Sequence, residues 1–391
     1  TPKLLWLLEN RPAVFDAAWQ FFDLTDFLTW RATGDLSRST CTVTCKWTYL
    51  AHERRWDETY FRAIGLGSLA DEGFARIGRK MVAPGTRLGG GLDARAAAEL
   101  GLPAGTPVAA GAIDAHAGGI GTVGADGDPV GCLGYVFGTS SCTMTTTRQP
   151  VFVPGVWGPY YSAMVPEAWL NEGGQSVAGA AIDQLLSMHP AATEARLSAE
   201  QQGRPLADLL AERAASRAPN LSQAALGAEG LHVVPEFLGN RSPLADPDAR
   251  AVIAGLGMEN DLENLAALYL AGLCGIGYGL RQIIEAQEQA GAPVERVVIS
   301  GGAGRLELVR QLLADATGKR LQATAAQEPV LLGSAMLGAV AGGLFGDLRS
   351  AMASMSHISK TYEPVAGAVA GFHEARYRAF GQLQKLAREI R

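Results

Sequence analysis

The sequence has few charged and few aromatic residues for its length. Charged residues make up 18% of its 391 positions and aromatic residues 7%, whereas hydrophobic residues reach 48%. A chain with this balance can bury apolar cores, which excludes an intrinsically disordered protein. Its formal net charge of −6 argues against nucleic acid as the main partner, although a small anion needs only local positive groups. At this length we expect two domains, each with its own core.

Cysteine and long hydrophobic runs are scarce as well. Five cysteines occur, and Cys41 and Cys45 could form half of a zinc site, but no second pair has metal-ligand spacing. Buried or half-buried thiols are therefore favoured over a metal. The longest apolar runs, such as 331–345, are interrupted by glycine and are typical of a buried helix, not a membrane span. With no recognisable signal peptide, we predict a cytoplasmic protein without a membrane partner.

Glycine, in contrast, is abundant, with 48 residues. Many occur in clusters such as 118–124, 131–138 and 301–304, at turns and at the starts of helices, where the backbone must approach another group closely. Predicted strands alternate with predicted helices along the chain, including one long buried-type helix, or two helices, at 262–289. This alternation predicts an α/β fold with a mixed or parallel sheet.

The first candidate for chemistry is Asp114. We predict that the apolar run 107–113 is a buried strand that ends at this carboxylate. A carboxylate in that place can cap the next helix, or it can act as general base for an alcohol that attacks a phosphorus atom. His116 is a competing base, and Asp114 is preferred because sites in α/β folds form at strand ends.

A hairpin turn follows at Gly138, Thr139 and Ser140. Strands at 131–137 and 143–147 are predicted to pair around it. Small hydroxyl residues with glycine offer unobstructed amides and O–H donors, which is what a phosphate needs. An ordinary hairpin turn can have the same residues, so the pattern alone does not decide between them.

A second glycine-rich turn, 300–305, lies between a predicted strand at 294–299 and an amphipathic helix. It is neither a Walker A pattern nor a clean Gly-x-Gly-x-x-Gly. Adjacent glycines at Gly301 and Gly302 permit close contact with a flat ring or a ribose, which favours a nucleotide site. The alternative is a tight turn without a ligand.

Lys46 and Glu172 are further candidates for a polar site. Lys46 is either a surface lysine whose stem covers apolar neighbours or a cation that points into the site. Glu172 precedes two glycines and a predicted helix, so it is either a first-turn acid favoured by the helix dipole or a carboxylate that binds hydroxyls. The segment 240–243 is either a plain turn or a loop at a cleft between domains.

Taken in order, these motifs resemble those of the FGGY carbohydrate kinases. The segments that carry the resemblance are 111–118 (GAIDAHAG), 137–140 (FGTS), 239–247 (GNRSPLADP), 300–303 (SGGA) and 328–335 (EPVLLGSA), and together they span nearly the whole chain. Within the family, the segments 41–47 and 240–246 look most like the ribulokinase branch, in particular its D-ribulokinase-type members.

The resemblance implies two ribonuclease-H-like domains of the actin and hexokinase type, at 1–129 and 130–391, around a central cleft. The sugar would bind in the cleft and ATP mostly on the C-terminal domain, with Mg²⁺ as the accompanying ion. Asp114 would be the general base for a sugar hydroxyl. The other implied contacts are Lys46, Glu172, Gly111 and Ala112 to the sugar, Gly138, Thr139 and Ser140 to phosphate, and Gly301, Gly302 and Ala303 to adenosine.

One element of the family pattern is missing from this sequence. Family members begin with a strand–hairpin that carries Asp-x-Gly-Thr or a similar pattern and handles phosphate and Mg²⁺. No such element is present, and Thr1 starts within the first domain. We therefore expect an N-terminally truncated kinase whose first domain is incomplete.

The expected function is ATP-dependent phosphorylation of a pentulose, with D-ribulose as substrate and D-ribulose 5-phosphate as product. L-Ribulose and ribitol are alternatives within this class, and a homodimer is left open. A non-catalytic sugar- or nucleotide-binding fragment of the same fold is a hypothesis of another class. An actin- or chaperone-type ATPase shares the fold but has no use for a pentulose site at Lys46 and Glu172.

Overall fold

The computed structural model describes residues 1–125 and 127–391 and shows helices and strands interleaved along the chain. The helices are α1 (Pro2–Asn10), α2 (Pro12–Ala17), α3 (Leu24–Thr33), α4 (Thr40–Trp47), α5 (Glu58–Ala63), α6 (Gly67–Asp71), α7 (Ala94–Leu100), α8 (Asp114–Val123), α9 (Gly179–Ser187), α10 (Ala192–Gln201), α11 (Leu206–Ser216), α12 (Leu262–Gln289), α13 (Glu307–Thr317), α14 (Pro329–Ala341), α15 (Leu348–Met355) and α16 (Ala368–Glu389). The strands are β1 (Arg38–Ser39), β2 (Met81–Val82), β3 (Cys132–Phe137), β4 (Ser141–Thr147), β5 (Trp157–Tyr161), β6 (Trp169–Gly173), β7 (His232–Val234), β8 (Val252–Ala254), β9 (Arg296–Ser300), β10 (Leu321–Thr324) and β11 (Ile358–Tyr362).

The main sheet is mixed and, over the described residues, has seven strands in the order β11-β10-β9-β3-β4-β6-β5. Strands β10, β9 and β3 run parallel to one another, and β11 pairs antiparallel with β10 at one edge. On the other side β3, β4, β6 and β5 pair antiparallel. The predicted mixed sheet and the predicted hairpin of β3 with β4 are both confirmed.

Alternation along the inner strands divides the hydrophobic core between the two faces of the sheet. In β3, Leu133, Tyr135 and Phe137 join a large core with helices α9, α11, α12, α13 and α16. Cys132 of β3 and Val298 of β9 belong to the core on the opposite face, with α8, α14 and α15. Helices therefore cover both faces, as expected for an α/β fold.

The first hundred residues contribute mainly helices. Their described strands, β1 and β2, are two residues long and pair in parallel. A separate cluster holds these helices together and includes the buried rings of Phe15, Phe21 and Phe61. The ring of Trp56 stacks on that of Phe74 with 5.6 Å between centroids. Aromatic packing thus supplies a local core away from the main sheet.

Long helices occur where the sequence predicts them, whereas one predicted strand is wrong. Helix α12 has the predicted bounds, 262–289. The segment 107–113 is extended but forms no ladder, because its partner is the irregular loop 85–92. The two segments share a single bridge, between Arg87 and Ala109, and otherwise isolated hydrogen bonds that satisfy the backbone.

Two apolar helices differ in burial. Helix α12 is long and apolar enough to cross a membrane, but 78% of its most apolar stretch is buried inside the protein. Helix α14 was expected to be buried along 331–345. It buries Met336 and Leu337, yet Leu331 on the same helix is 67% exposed, so the helix is buried on one face only. Leu344 lies beyond the end of the helix and is 78% exposed.

Helices α8 and α14 cross at backbone contact distance. A Cβ atom at Gly121 would collide with the carbonyl oxygen of Pro329, and one at Gly333 would collide with the carbonyl oxygen of Ala117. Residues with side chains would push the helices apart, so the crossing depends on glycine on both sides. The crossing matters for the site because Asp114 is the first residue of α8.

We expect Gly333→Ala to destabilise the protein by roughly 1–3 kcal/mol, because the new methyl group has no room between α14 and α8. The measurement is the free energy of unfolding in urea. Gly338→Ala on the same helix is the matched control, since a Cβ there meets nothing within 4 Å. That control should be neutral or stabilising by up to about 1 kcal/mol. Equal effects of the two substitutions would contradict the close crossing.

Candidate functional site

The backbone ahead of Asp114 is held by two neighbouring helices. The hydroxyl of Thr25 on α3 donates to the carbonyl oxygen of Ala112 at 3.3 Å. The hydroxyl of Ser39, the N-cap of α4, donates to the carbonyl oxygen of Gly111 at 2.6 Å. These bonds fix the segment that delivers Asp114, although it is not a strand.

Asp114 and His116 differ in exposure. Asp114 is exposed, and its Oδ1 accepts a hydrogen bond from the amide of Ala115 at 2.8 Å. The N-cap position of α8 is occupied by Ile113, so Asp114 is a first-turn residue rather than the cap. His116 is 1% exposed. Of the two candidate bases, Asp114 is therefore the one that a substrate can reach.

Lys46 lies exposed in the last turn of α4, and the start of that helix is fixed by Asp26. The buried Asp26 carboxylate accepts from the amide of Ser39 at 2.9 Å and from the hydroxyl of Thr42 at 2.6 Å. Burial raises the pKa of Asp26 to about 6, although these hydrogen bonds favour its charged form. The ammonium of Lys46 lies near enough to Glu172 to lower the pKa of that carboxyl.

Glu172 lies in β6, so the alternative of a first-turn helix acid is wrong. Its Oε2 is 3.2 Å from Nε2 of His116, and its side chain is 15% exposed. Burial alone would raise the pKa of Glu172. The hydrogen bond and charge of His116, followed by the charges of Lys46 and Arg241, outweigh burial and hold the pKa below its ordinary value. Glu172 is thus a carboxylate at neutral pH, surrounded by cationic partners.

Arg241 is placed beside Glu172 by a loop that the C-terminal helix holds. A backbone bridge between Asn240 and Asp246 closes the loop. Asp246 pairs with Arg388 of α16 at 3.3 Å. The guanidinium of Arg241 lies 5.7 Å from the ring centroid of Trp157, which pairs with Glu172 between β5 and β6, and its charge lowers the pKa of Glu172. Glu172, Lys46 and Arg241 thus form a charged cluster, and the segment 240–243 is a loop at this cluster and not a plain turn.

The turn at Gly138–Ser140 joins β3 to β4 and rests on the N-terminus of α9. The carbonyl oxygen of Gly138 accepts from the amide of Gly179 at 2.9 Å, and that of Thr139 accepts from the amide of Ala178 at 2.9 Å. Thr139 is exposed, and its two neighbours are half-buried. The turn is thus fixed in an accessible position.

The second glycine-rich turn meets the first at the same helix end. Gly301 has a φ of +96°, and a Cβ there would collide with the carbonyl oxygen of Phe137, the last residue of β3. A Cβ at Gly179 would lie 2.8 Å from the carbonyl oxygen of Gly138 and 3.4 Å from Cβ of Ala303. The two turns are therefore neighbours, on either side of the first residue of α9.

A pocket of ≈ 190 Å³ opens beside these turns. The ion pair of Arg305 with Asp208, at 2.6 Å, lies at its lining. The other lining residues are Phe137, Gly179, Ile182, Asp183, Pro205, Ala207, Tyr269, Leu273, Gly302, Ala303 and Leu306. A pocket lined by apolar side chains, by glycines and by a few polar groups suits a flat heterocycle and its ribose.

The charged cluster contains thiols but no cluster of metal ligands. Over residues 1–125 and 127–391, no group of three or more His, Cys, Asp or Glu side chains is placed to hold a metal ion. Cys41 and Cys45 are free and lie one turn apart on α4. Sγ of Cys41 is 3.1 Å from Nδ1 of His116, so this thiol packs against the site from behind.

Two residues of the site lack a clear signal in the sequence. His116 is two positions from Asp114, and the sequence suggests it as a competing base. In the structure it contacts Glu172, which is 56 positions away. Helix geometry offers a partial signal, because residues i and i+2 of a helix point in different directions. Gly179 is one glycine among many, and only the fold shows that it joins the two turns.

Comparison with known proteins finds matches to both parts of the chain. Residues 1–121 match the N-terminal domain of the FGGY family of carbohydrate kinases, and residues 133–342 match its C-terminal domain. An FGGY carbohydrate kinase domain-containing protein of Danio rerio is 43% identical over 405 residues, which cover 99% of this chain and 73% of that protein. A D-ribulokinase of Saccharomyces cerevisiae is 36% identical over 377 residues, which cover 87% of this chain and 52% of that protein.

The fold also matches that of a solved sugar kinase structure. A ligand-bound xylulose kinase from Lactobacillus acidophilus matches with a TM-score of 0.78 at 20% identity, over 98% of this chain and 71% of that one. The predicted α/β fold of the sugar kinases is thereby confirmed. The chain belongs to the FGGY family of carbohydrate kinases, enzymes that transfer a phosphoryl group to a sugar.

Proposed function

We propose that this kinase phosphorylates a pentulose, with D-ribulose as the substrate and D-ribulose 5-phosphate as the product. The observation that carries the proposal is the gathering of Glu172, Lys46 and Arg241 in one cluster that also includes Asp114. Cys142 of β4 lies beside this cluster: burial raises the pKa of its thiol, the charges of Glu172 and Asp114 raise it further, and Arg241 lowers it. Similarity to a D-ribulokinase supports the choice of D-ribulose.

The sugar site is proposed to consist of Lys46, Glu172, Gly111 and Ala112. A sugar with several hydroxyls needs fixed acceptors and donors, because each unmatched hydroxyl costs binding energy. Glu172 would accept hydrogen bonds from hydroxyls, and the Lys46 ammonium would donate them. A Cβ at Gly111 would lie 3.1 Å from the side chain of Thr25, so the backbone there already packs tightly. A larger residue at position 111 would therefore be disfavoured beside the proposed sugar site.

Asp114 is proposed as the general base. It would accept the proton of the C5 hydroxyl while the hydroxyl oxygen forms a bond to the γ-phosphorus atom. The bond from that phosphorus to the bridging oxygen breaks, and ADP leaves. The exposure of Asp114 at the start of α8 leaves its carboxylate open to a substrate.

The nucleotide is proposed to bind at the two glycine-rich turns. Gly138, Thr139 and Ser140 would contact phosphate through amides and hydroxyls. Gly301, Gly302 and Ala303 would contact adenosine, because two of these residues line the pocket between α9 and α12. ATP is the donor that this family of kinases uses, and Mg²⁺ would accompany its phosphates, where it neutralises charge during transfer.

We also propose that the chain divides into domains at 1–129 and 130–391. The family matches at 1–121 and 133–342 fall on either side of this boundary. Lys46 and Asp114 would then come from the first domain, and Glu172 and the nucleotide turns from the second. A sugar bound between them would contact both domains.

A non-catalytic sugar- or nucleotide-binding protein is the second candidate. It is motivated by the absence of an Asp-x-Gly-Thr pattern from this sequence. Calorimetry with ATP·Mg and with D-ribulose, run beside an ADP-release assay, separates the two candidates. Binding of both ligands without sugar-dependent ADP release would favour the second one.

We expect Asp114→Asn to lower kcat by about 10²- to 10⁴-fold, since the amide cannot accept the hydroxyl proton. The KM for ATP should change little. The measurement is sugar-dependent ADP release in a coupled assay. Asp16→Asn, at an exposed position of α2, is the control and should behave like the unmodified protein. A kcat near that of the unmodified protein in Asp114→Asn would rule out the assigned base.

Among pentuloses and pentitols, we expect D-ribulose to have the highest kcat/KM. L-Ribulose and ribitol should be poorer by at least about tenfold, because a misplaced hydroxyl leaves a polar group of the site unpaired. The comparison uses the same ADP-release assay with each sugar in turn. A preference for L-ribulose or ribitol would replace the proposed substrate while keeping the reaction class.

Gly302→Leu should raise the KM for ATP by at least about tenfold, which is about 1.4 kcal/mol of binding. A Cβ at Gly302 meets nothing within 4 Å, so a side chain would fill the pocket without disturbing the protein. The KM for sugar and the melting temperature should stay the same. Gly371→Leu, at an exposed position of α16 with equal space, is the control. If both variants bind ATP normally, adenosine does not lie at Gly302.

A further inference from the structure

Behind the charged cluster, the buried side chains of Cys41 and His116 and the half-buried side chain of Glu172 form a continuous chain of contacts. Sγ of Cys41 lies 3.1 Å from Nδ1 of His116, and Nε2 of His116 lies 3.2 Å from Oε2 of Glu172. Cys41 is 0% exposed and His116 1% exposed. The amide of Ile113 donates to Sγ of Cys41 at 3.3 Å, which extends the chain to the backbone beside the proposed base.

The hydrogen bond between His116 and Glu172 has the same direction in either charge state of the ring. The carboxylate can only accept, so Nε2 of His116 must be the donor. If the ring is neutral, Nδ1 has a free lone pair, and the thiol of Cys41 can donate to it. If the ring is charged, both nitrogens donate and the sulfur accepts. Nε2 therefore has a proton in either state, and the thiol fits both.

Contacts on both sides of the ring also favour its charged form. Burial opposes a charged ring, but the contacts with Cys41 and with the carboxylate of Glu172 raise the pKa of His116 to about 10. The other cations near Glu172 are Lys46 and Arg241, which are exposed and half-buried, respectively. His116 thus contacts the carboxylate from the buried side, opposite to where water and substrate have access.

The chain connects the three elements that supply the polar groups of the site. Cys41 is on α4, which also includes Lys46. His116 is on α8, which begins with Asp114. Glu172 is on β6. A shift of any of these elements would lengthen one of the contacts, so the distances among the site groups depend on the buried chain.

We propose that His116 is a positioning residue for sugar binding, which holds Glu172 through Oε2 and leaves Oε1 to accept a sugar hydroxyl, with Cys41 fixing the ring behind it. This inference rests on the proposed function, since it assigns Glu172 to the sugar. His116 would touch neither sugar nor ATP. In metal sites, groups that orient a ligating side chain in this way typically contribute about 10- to 100-fold to affinity or activity, and we expect an effect of the same size here.

Kinetics of His116 variants test the proposal. We expect His116→Leu to raise the KM for D-ribulose by about 10- to 100-fold while the KM for ATP stays the same. His116→Gln keeps an N–H donor and should recover part of the loss. The matched control is His373→Leu, because His373 is also 1% exposed and its Nδ1 lies 2.9 Å from the hydroxyl of Tyr278, on the core side of α16. The control should lower stability without a selective effect on the sugar.

Substitutions of Cys41 provide a second pair of variants that change fewer atoms. Cys41→Ser keeps a group that can donate to Nδ1 or accept from it, and should have a KM for D-ribulose near that of the unmodified protein. Cys41→Ala removes both abilities and should raise the KM for the sugar. Equal KM values for the serine and alanine variants, or equal changes for sugar and ATP in His116→Leu, would overturn the proposal.

A measurement without sugar separates this proposal from the proposed function. In protein labelled with ¹⁵N-histidine, we expect Nε2 of His116 to be protonated from pH 6 to pH 9 and its resonance to shift in Glu172→Gln. An unprotonated Nε2 at pH 7 would overturn the positioning role even if the protein is an active pentulose kinase. Failure to bind or phosphorylate any pentulose, with the expected spectrum intact, would contradict the proposed function and leave Glu172 held by His116 for another ligand.

Discussion

Backbone contact without intervening side chains is the constraint on which both parts of the site depend. At one place α8 and α14 cross so closely that Gly121 and Gly333 have no room for a methyl group. At another, Gly179 lies between the carbonyl oxygen of Gly138 and the side chain of Ala303. The first contact locates the start of α8, and the second brings two separate turns together. Because backbone atoms are the least adjustable parts of a protein, such contacts fix distances more rigidly than side-chain packing does.

Glu172 shows how a charge can be kept in a mostly buried place. Taking a carboxylate out of water costs free energy and would by itself favour the protonated acid. His116 offsets this cost by a direct hydrogen bond, and Lys46 and Arg241 add opposite charges from the accessible side. The consequence is a carboxylate that is both ionised and held in one orientation. A sugar hydroxyl that donates to it would meet an acceptor whose direction is already set, which reduces the entropy lost on binding.

Much of the fold could be predicted from local patterns, because those patterns act over a few residues. Helix α12 and the hairpin of β3 with β4 have the hydrophobic periodicity and turn residues that define them. The segment 107–113 has the composition of a strand, but a strand also needs a partner with a matching edge, and its partner is the loop 85–92. The composition of a segment cannot indicate whether such a partner strand exists. The alternative that Glu172 is a first-turn helix acid is wrong for a related reason: the two glycines after it suggest a helix start, whereas β6 is defined by pairing with β4.

For the site as well, features set by local sequence could be predicted, whereas features set by distant partners could not. The two glycine-rich turns are continuous segments, and their residues are recognisable from the sequence, although only the fold shows that they adjoin at Gly179. The charged cluster is different, because Lys46, Glu172 and Arg241 come from separate elements and none has a distinctive local pattern. The role of His116 is the hardest to predict, because its partner Glu172 is far away in sequence. Its neighbour Asp114 suggests instead that His116 is a base.

These two kinds of construction have different consequences for function. A site made from turns is held by backbone contacts near the atoms it binds, so it should tolerate substitutions elsewhere in the protein. A site made from side chains on α4, α8, β6 and the loop at 240–243 depends on the mutual placement of four elements. Small shifts between elements would change the distances among Glu172, Lys46 and Asp114 without changing any of those residues. If the charged cluster binds the sugar as proposed, specificity for one sugar over another is expected to be sensitive to packing beneath the cluster, in particular to the buried ring of His116. Nucleotide binding at the two turns, as proposed, is expected to be less sensitive to that packing.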